Sequence, residues 1–265
     1  MLTLEKKDWI KSLSGRALFA SRLHKIMGPE RGIVVAFHRV NREKDATGLT
    51  VSPEMFEKFC RFFSEHFTVV PLTYFVERLE KGQSVDGLLA ITFDDGYRDN
   101  YDIAAPILKQ LNLPATFFVT TNFIETDFVP EWDKEAGLAF PWMSWEQVLS
   151  LHAQGFEIGA HTRHHVDLGI ATRDHAQEEI HGSRSDLEDK LRSVVRLFAY
   201  PFGRANQMSE LNRTLVKDAG FRCCCSCFGG MNTRSTDPFM IQRIPISTWF
   251  TSPFQFAFEV ATSRV

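Results

Sequence analysis

Short apolar runs recur along the chain, and several of them stop abruptly at charged or small residues. The clearest run, residues 88–93, is followed at once by Asp94, Asp95 and Gly96. A run of this length fits a strand buried on both faces, and Gly96 permits the turn that follows. The alternative is that Asp-Asp-Gly begins a helix, where these residues are common. Adjacent carboxylates repel each other, so a strand end that holds both is typical of a cation site or an acid–base pair.

The same pattern predicts strands and helices in alternation along the rest of the chain. The other predicted strands are residues 33–37, 67–70, 115–119, 156–160, 194–200, the cysteine-rich segment 223–227, and 239–244. One predicted helix begins at Pro53, and others cover residues 73–81, 100–111, 144–154 and 172–190. Residues 120–143 are predicted to be a long loop of the kind that lines binding sites. This alternation predicts parallel β–α units, either in a closed or irregular barrel or in an open doubly wound sheet.

The N-terminal segment is predicted to be a basic amphipathic helix over residues 4–27. Apolar residues, among them Trp9, Leu13 and Ala17, recur there at spacings of three and four, and six lysines and arginines lie between them. Such a helix either packs on its own domain or lies on an anionic membrane surface. We treat residues 1–31 as a separate N-terminal unit.

Composition narrows the class of protein. The chain has 265 residues, 44% of them hydrophobic, and a formal net charge of -3. These values fit one large globular domain with a sizeable core. Without a basic run, the sequence has no electrostatic basis for binding nucleic acid. It has no apolar run of the ~18 residues that a membrane span needs and no signal-peptide pattern, so we expect a cytoplasmic protein.

Four of the five cysteines lie close together, at positions 223, 224, 225 and 227. Adjacent residues of a strand point to opposite faces, and the paired Cys-x-x-Cys spacing of zinc sites is missing. We therefore favour a buried strand with reduced thiols over a disulfide framework or a metal site.

Polar residues follow the predicted strands, and in folds of this kind the carboxyl ends of parallel strands share one face. Two histidines four residues apart, together with a carboxylate, suffice for a divalent metal site with one position open for water. His164 could replace either histidine. The same donors also describe a non-haem iron oxygenase, but an Asp-Asp pair on an α/β pattern argues against that class. The residues expected on the shared face are His38, Asp94, Asp95, His161, His165, residues 201–203 and Arg243.

Three motifs resemble, in order, those of the polysaccharide deacetylases, the NodB-homology carbohydrate esterases. They are Thr-Phe-Asp-Asp-Gly-Tyr at 92–97, His-Thr-x-x-His at 161–165 and Phe-Ala-Tyr-Pro-Phe-Gly at 198–203. The resemblance extends over residues 33–246. It implies an irregular (β/α)7 barrel for residues 32–265 and the removal of acetyl groups from N- or O-acetylated sugars.

The resemblance also implies roles for individual residues. Asp95, His161 and His165 would bind a divalent metal, most often Zn²⁺, with Co²⁺ and Ni²⁺ as alternatives. Asp94 would be the general base that receives a proton from the attacking water. The backbone N–H of Phe202 would stabilise the tetrahedral oxyanion.

The chain departs from the family pattern at three places. The arginine that often precedes the proline of the third motif is replaced by Ala199 and Tyr200, so we expect Arg243 to orient Asp94, unless Arg243 forms a surface ion pair. The late Leu-x-His motif is missing, and we expect His38 to act as the general acid. Val166 stands where a proline is usual, which should not prevent metal binding.

We therefore expect a metal-dependent deacetylase that hydrolyses the acetamide of an N-acetylated sugar in a polysaccharide, a glycolipid or a lipid-linked precursor. The alternative is a glycan-binding or regulatory protein on the same fold with weakened catalysis. Peripheral membrane contact through residues 4–27 is a further expectation.

Overall fold

The architecture is a curled sheet of parallel strands with helices packed around it, and a computed structural model describes residues 4–20, 31–43 and 47–262. The strands are β1 (Ile33–Phe37), β2 (Arg39–Val40), β3 (Thr50–Val51), β4 (Thr68–Val69), β5 (Leu88–Phe93), β6 (Thr116–Val119), β7 (Glu157–Ala160), β8 (Leu197–Ala199), β9 (Cys223–Cys225) and β10 (Ile244–Pro245). In the described residues the main sheet has the order β10-β1-β5-β6-β7-β8-β9, β4 also pairs with β5, and β2 pairs with β3 separately.

One short segment brings the two ends of the main sheet together. Ile244 pairs in parallel with Val35 of β1. A few residues earlier, Ile241 forms a parallel bridge with Cys225 of β9 and accepts a hydrogen bond of 2.9 Å from the N–H of Ser226. Residues 241–245 therefore link β9 to β1 and curl the sheet into a barrel-like shape. The predicted α/β fold of the irregular-barrel type is confirmed.

Most helices begin where the sequence predicts them. Ser52, Ser144 and Thr172 each accept a hydrogen bond from the backbone N–H three residues on, which satisfies an otherwise unpaired donor. The helices are α1 (Leu4–Ala20), α2 (Pro53–His66), α3 (Leu72–Glu80), α4 (Ala105–Gln110), α5 (Glu131–Glu135), α6 (Trp145–Ala153), α7 (Arg173–Leu191), α8 (Glu210–Asp218) and α9 (Pro253–Thr262), with a π-helical turn at Asn100–Ala104 and a 3₁₀ turn at Pro238–Met240.

The predicted strand over residues 239–244 was wrong. Pro238–Met240 forms a 3₁₀ turn instead, and β10 covers only Ile244–Pro245. Asp237 accepts a hydrogen bond of 2.9 Å from the N–H of Phe239, which favours the turn. Two further helices, one inside the 120–143 segment and one near the C-terminal end of the described residues, were not predicted from the sequence; they are α5 and α9.

The N-terminal helix packs on its own domain, but not through the apolar stripe that the sequence suggests. Lys11 Nζ lies 2.5 Å from Glu259 Oε1 of α9, and the hydroxyls of Ser12 and Ser252 are 2.7 Å apart. Trp9 and Leu13, members of the predicted stripe, are 67% and 55% exposed. The more polar face of α1 therefore packs, and the stripe faces outward. The predicted continuation over residues 21–27 lies outside the described residues.

Stacked aromatic rings pack between the sheet and the helices near the strand ends. Phe37 of β1 stacks on Phe93 of β5 at 5.5 Å between ring centroids, and Phe93 stacks on Phe117 of β6 at 4.8 Å. All three rings are buried. This packing holds the carboxyl ends of neighbouring strands in register. The residues that follow β1 and β5 are therefore held in fixed positions relative to each other. Cys223–Cys225 form a buried strand with free thiols, as predicted.

Candidate active site

Three donor atoms converge at the carboxyl ends of β5 and β7. Asp95 comes two residues after β5, and His161 and His165 follow β7. Asp95 Oδ1 lies 3.3 Å from His161 Nε2 and 3.3 Å from His165 Nε2, and all three side chains are less than a tenth exposed. The structure thus brings together the three residues predicted as metal ligands.

The bonding of this triad fits a divalent cation. His161 Nδ1 lies 2.8 Å from the carbonyl oxygen of Ala199, and since a carbonyl only accepts, Nδ1 carries the hydrogen. With its hydrogen on Nδ1, the ring can present the lone pair of Nε2 to a metal ion beside Asp95, the arrangement typical of a metal-binding histidine. Asp95 Oδ1 is buried and has no hydrogen-bond partner among the described residues. An unpaired anionic oxygen beside two imidazole nitrogens is a donor set suited to Zn²⁺.

Asp95 is ionised in this setting. Burial raises the pKa of its carboxyl, but the rings of His161 and His165 outweigh that effect and hold the pKa well below its ordinary value. Asp95 is therefore available as a charged ligand.

Backbone strain is concentrated at the same place. Asp95, Thr162, His165 and Phe202 are non-glycine residues with φ of 77°, 61°, 55° and 59°. Such conformations cost about 1–3 kcal/mol each and persist only where the surroundings enforce them. The fold therefore holds these four residues in fixed orientations, a common property of functional sites.

Asp94 faces the opposite way from Asp95 and forms a two-pronged ion pair with Arg243. The two terminal nitrogens of Arg243 donate to Asp94 Oδ1 and Oδ2, each at 2.7 Å. Arg243 also donates to Thr92 Oγ1 at 3.0 Å and to the carbonyl oxygen of Ser226. The guanidinium is fully buried, so the alternative of a surface ion pair is wrong.

The partner charge keeps Asp94 in the form that can accept a proton. Burial raises the pKa of the Asp94 carboxyl, and the charge and hydrogen bonds of Arg243 more than offset this and lower it. A guanidinium bound to both oxygens also fixes the plane of the carboxylate.

His38 lies on the other side of Asp94. It follows β1, and its Nε2 is 4.0 Å from Asp94 Oδ2. Burial lowers the pKa of His38, although Asp95 and Asp94 counter part of that effect. Once protonated, His38 is therefore a stronger acid than an exposed histidine.

Two aromatic rings flank His165 at the mouth of the site. The ring of Trp132, from α5, lies 4.7 Å from that of His165, and the ring of Phe202 lies 4.9 Å from it on another side. Phe202 is 43% exposed and belongs to the turn after β8. His164 faces away from the triad: its ring nitrogens lie 2.6 Å from Glu179 Oε1 and 2.6 Å from Asn122 Nδ2.

The structure adds residues that the sequence analysis did not assign to the site. Strand periodicity places Thr92 on the opposite face of β5 from Ile91 and Phe93, but because both faces are buried it does not show which face points toward the site. Trp132 reaches the site from the long 120–143 connection, and Cys227 reaches it from the segment after β9. No local sequence pattern predicts either placement.

A buried ion pair anchors the connection that carries Trp132. Arg39 pairs with Asp133, and neither side chain is exposed. Tyr97 OH donates to Asp133 Oδ2 at 3.2 Å and accepts from Trp132 Nε1 at 3.1 Å. The guanidinium of Arg39 also lies over the ring of Phe140, 4.1 Å from its centroid. This cluster of Arg39, Asp133, Tyr97, Trp132 and Phe140 is called the loop anchor below.

The curled parallel sheet with this arrangement at its strand ends defines a barrel protein of the NodB-homology type. The family model for polysaccharide deacetylases matches residues 81–224, more than half of the chain, and the chain belongs to that family. The matched region contains Asp94, Asp95, His161, His165 and Phe202. His38 and Arg243 lie outside it, so their placement rests on the structure alone.

Similar proteins include deacetylases with known substrates and structures. The chain is 25% identical over 217 residues to a poly-β-1,6-N-acetyl-D-glucosamine N-deacetylase of Staphylococcus aureus. The match covers 77% of this chain and 70% of that protein. Among solved structures, IcaB from Ammonifex degensii superimposes with a TM-score of 0.73 at 22% identity, over 88% of this chain and 98% of the other. The Streptococcus pyogenes deacetylase PplD, solved with acetate, superimposes with a TM-score of 0.72 at 20% identity, over 86% of this chain and 97% of the other. At these identities the structural likeness concerns the fold.

Proposed function

We propose that the protein is a divalent-metal-dependent N-deacetylase that hydrolyses the acetamide of N-acetylglucosamine-type units in a polysaccharide, a glycolipid or a lipid-linked glycan precursor. The observation that carries the proposal is the pairing of two adjacent carboxylates with different partners. Asp95 faces two histidine nitrogens, whereas Asp94 is held by Arg243. The S. aureus relative, which deacetylates a polymer of N-acetylglucosamine, supports the choice of sugar.

Asp95, His161 and His165 would hold the metal, with Zn²⁺ as the first candidate and Co²⁺ or Ni²⁺ as alternatives. When bound, a divalent ion acidifies a water molecule and polarises the amide carbonyl. Two histidines and one carboxylate leave coordination positions open for water and substrate.

Asp94 would act as the general base. Its carboxylate is ionised and fixed in orientation by Arg243, so it can accept the proton of the attacking water as the C–O bond forms. Arg243 is a positioning residue in this scheme, because it touches Asp94 and not the reacting atoms.

His38 would complete the proton transfer. An amine is a poor leaving group until its nitrogen is protonated, and His38 Nε2 is 4.0 Å from Asp94 Oδ2. The proton taken up by Asp94 can pass to His38 through one bridging water, or after the two groups close from 4.0 Å to hydrogen-bonding distance, and then to the departing nitrogen as the C–N bond breaks. The lowered pKa of His38 favours this last transfer.

The backbone N–H of Phe202 would stabilise the negative oxygen of the tetrahedral intermediate. The left-handed backbone of Phe202 turns its peptide within the strand-end turn, next to the ring of His165. A preorganised N–H of this kind contributes most when charge develops in the transition state.

Acetate release tests the proposal. The purified protein is assayed on β-1,6- and β-1,4-linked N-acetylglucosamine oligomers and on a lipid-linked N-acetylated sugar, before and after chelation and with Zn²⁺, Co²⁺ or Ni²⁺ added back. We expect release that the chelator abolishes and that Zn²⁺ or Co²⁺ restores. Release that persists in protein verified as metal-free contradicts metal dependence. Glycan binding without any release supports the alternative of a catalytically weakened binding protein.

We also propose that α1 contacts an anionic membrane surface. Trp9, Ile10 and Leu13 are exposed on α1, and the ring centroid of another exposed tryptophan, Trp249, lies 5.9 Å from Lys11 Nζ. Exposed tryptophans next to lysines and Arg16 match the boundary between lipid tails and negatively charged headgroups. None of the helices in the described part of the chain combines the length and apolar character that a bilayer crossing requires. A cytoplasmic location, facing the inner membrane leaflet, stays a prediction.

Vesicle sedimentation tests this contact. We expect the protein to sediment with phosphatidylglycerol-containing vesicles and not with pure phosphatidylcholine, and the double variant Trp9→Ser/Leu13→Ser to lose sedimentation. Ile170→Ser is the matched control, because Ile170 is 83% exposed but belongs to another part of the molecule. Equal sedimentation of both variants contradicts a role for α1.

A further inference from the structure

One ionisable side chain at the site has no role in the proposed reaction. Cys227 Sγ, a ring nitrogen of His38 and a carboxylate oxygen of Asp94 all lie within 4.8 Å of one another. These atoms form a cluster separate from Asp95, His161 and His165, and Cys227 is the only cysteine that the described residues place there. The cluster is called the thiol cluster below.

The position of Cys227 is fixed by the fold. Cys227 comes two residues after β9, and its N–H donates to the carbonyl oxygen of Gly203 at 3.0 Å. Gly203 has φ of 55° and no room for a Cβ, because Cys227 occupies that space. The two segments are thus pressed together, and the thiol is held beside Asp94. Cys227 is half-buried.

Imidazole nitrogen, carboxylate oxygen and thiolate sulfur are all ligands of zinc. In a tetrahedral zinc site with bonds of about 2.0–2.3 Å, the ligand atoms lie roughly 3.3–3.8 Å apart. The thiol cluster therefore needs to contract by only about 1 Å to bind an ion. A sulfur ligand selects thiophilic ions such as Zn²⁺ and Cd²⁺ over Mg²⁺ or Mn²⁺.

Asp94 can contribute without leaving Arg243. Each carboxylate oxygen has two lone pairs, and the guanidinium uses one on each. The positive charge of Arg243 and the cation at the neighbouring triad both oppose a further cation. An ion in the thiol cluster should therefore bind more weakly than an ion at the triad.

We propose that His38, Asp94 and Cys227 form a second metal site that binds Zn²⁺ or Cd²⁺ when the ion is in excess, and that its occupation inhibits the enzyme. Binding displaces the thiol proton to solvent and forms bonds from the ion to Sγ, to the His38 nitrogen and to an Asp94 oxygen. The last two atoms are those that move protons in the proposed reaction, so neither can do so while an ion is bound. The inhibitory part of this inference rests on the proposed function, whereas the binding part does not.

Metal counting tests the binding part directly. The protein is dialysed against rising concentrations of Zn²⁺ and its metal content is measured by mass spectrometry. We expect two ions per wild-type chain at excess Zn²⁺ and one ion per chain in Cys227→Ser at the same concentration, with at least a tenfold loss of affinity for the second ion. Cys60→Ala is the matched control, since this cysteine is buried in the core, and it should keep both ions.

A spectroscopic measurement detects the sulfur ligand directly. Titration of wild-type protein with Cd²⁺ should give an ultraviolet thiolate-to-cadmium band that grows only after the first equivalent is bound, because the triad contains no sulfur. Absence of the band, or a band of equal size in Cys227→Ala, overturns the proposal even if Cys227→Ser does not fold.

Acetate release tests the inhibitory part. Wild-type activity should rise with the first equivalent of Zn²⁺ and then fall, whereas Cys227→Ser, normalised to its own value at one equivalent, should stay level. The same fall in both proteins overturns the inhibitory role. If the protein releases no acetate at all but still shows two ions and the cadmium band, the proposed function fails and the second site stands.

Discussion

Two neighbouring aspartates of one turn have different partners, and this difference decides what each can do. Both oxygens of Asp94 accept hydrogen bonds from Arg243, whereas Asp95 Oδ1 has no hydrogen-bond partner in the described chain and faces two histidine nitrogens. The left-handed backbone at Asp95, with φ of 77°, turns the second carboxylate away from the first. Sequence could identify the pair, but only the structure separates their surroundings.

Asp94→Asn should keep the metal and lose turnover, because an amide cannot accept the proton of water. We expect kcat to fall by the ~10²–10⁴-fold typical of a lost general base. Asp95→Asn should instead lower the metal affinity itself. Metal content and kcat are measured on both variants, and a metal-free Asp94→Asn beside a metal-loaded Asp95→Asn would reverse the assignment.

Arg243→Lys should leave the metal bound but remove most of kcat. A lysine has one point of contact and cannot fix both oxygens of Asp94, so the carboxylate is free to turn. Arg243→Ala is less informative, since an unpaired buried carboxylate costs about 3–5 kcal/mol of stability. Near-wild-type kcat in folded, metal-loaded Arg243→Lys would remove this residue from the mechanism.

His38→Ala should discriminate between substrates. Loss of the general acid should slow hydrolysis of an acetamide far more than that of nitrophenyl acetate, whose leaving group departs without a proton. Both rates are measured on the same metal-loaded sample. An equal reduction for both substrates would indicate a structural role for His38.

At the scale of elements, the best-defined strands and helices were predictable and the long connections were not. Apolar runs and capping residues identify β1, β5 and α6 from neighbouring positions alone. The helix α5 has no such signal. It is only five residues long, and Asp133 is a charged residue that the sequence alone would place at the surface, although it is buried. Its place depends on Arg39, which lies far away along the chain.

Asp133→Asn should destabilise the protein through the loop anchor. The change removes one buried charged partner of the Arg39 guanidinium, and breaking a buried pair in this way typically costs about 3–5 kcal/mol. Glu135→Gln, on the same helix but exposed, is the control and should have almost no effect. Urea unfolding of the three proteins measures the difference. A loss as small as that of the control would mean that the loop anchor contributes little.

At the scale of the whole molecule, the fold class follows from alternating β–α units, but the closure of the barrel does not. The apolar pattern predicts one strand over residues 239–244, whereas the chain bridges β9 at Ile241 and pairs with β1 at Ile244. Arg243 lies between these two contacts. Its reach to Asp94, and the approach of Cys227, depend on how far the sheet curls, which no local pattern encodes.

The Asp94–Arg243 pair should make the stability of the whole protein dependent on acid. The pKa of Asp94 is lowered from its ordinary value of 3.8 in the folded protein, so the unfolded chain binds this proton more readily. The stabilisation that ionised Asp94 gives the folded protein is complete above pH ~4, and it is lost as the pH falls through the lowered pKa of Asp94. In the presence of chelator, the melting temperature of wild-type protein should therefore decrease more steeply below pH ~4 than that of Asp94→Asn. Parallel curves would contradict this.

The position of Arg243 in the sequence also sets an order of assembly during synthesis. Arg243 lies 149 positions after Asp94, whereas Asp95, His161 and His165 all emerge from the ribosome before it. A nascent chain can therefore gather its metal-binding side chains while the base still lacks its anchor. On the roles proposed here, the growing polypeptide contains every residue that would hold an ion before it contains the residue that orients the base.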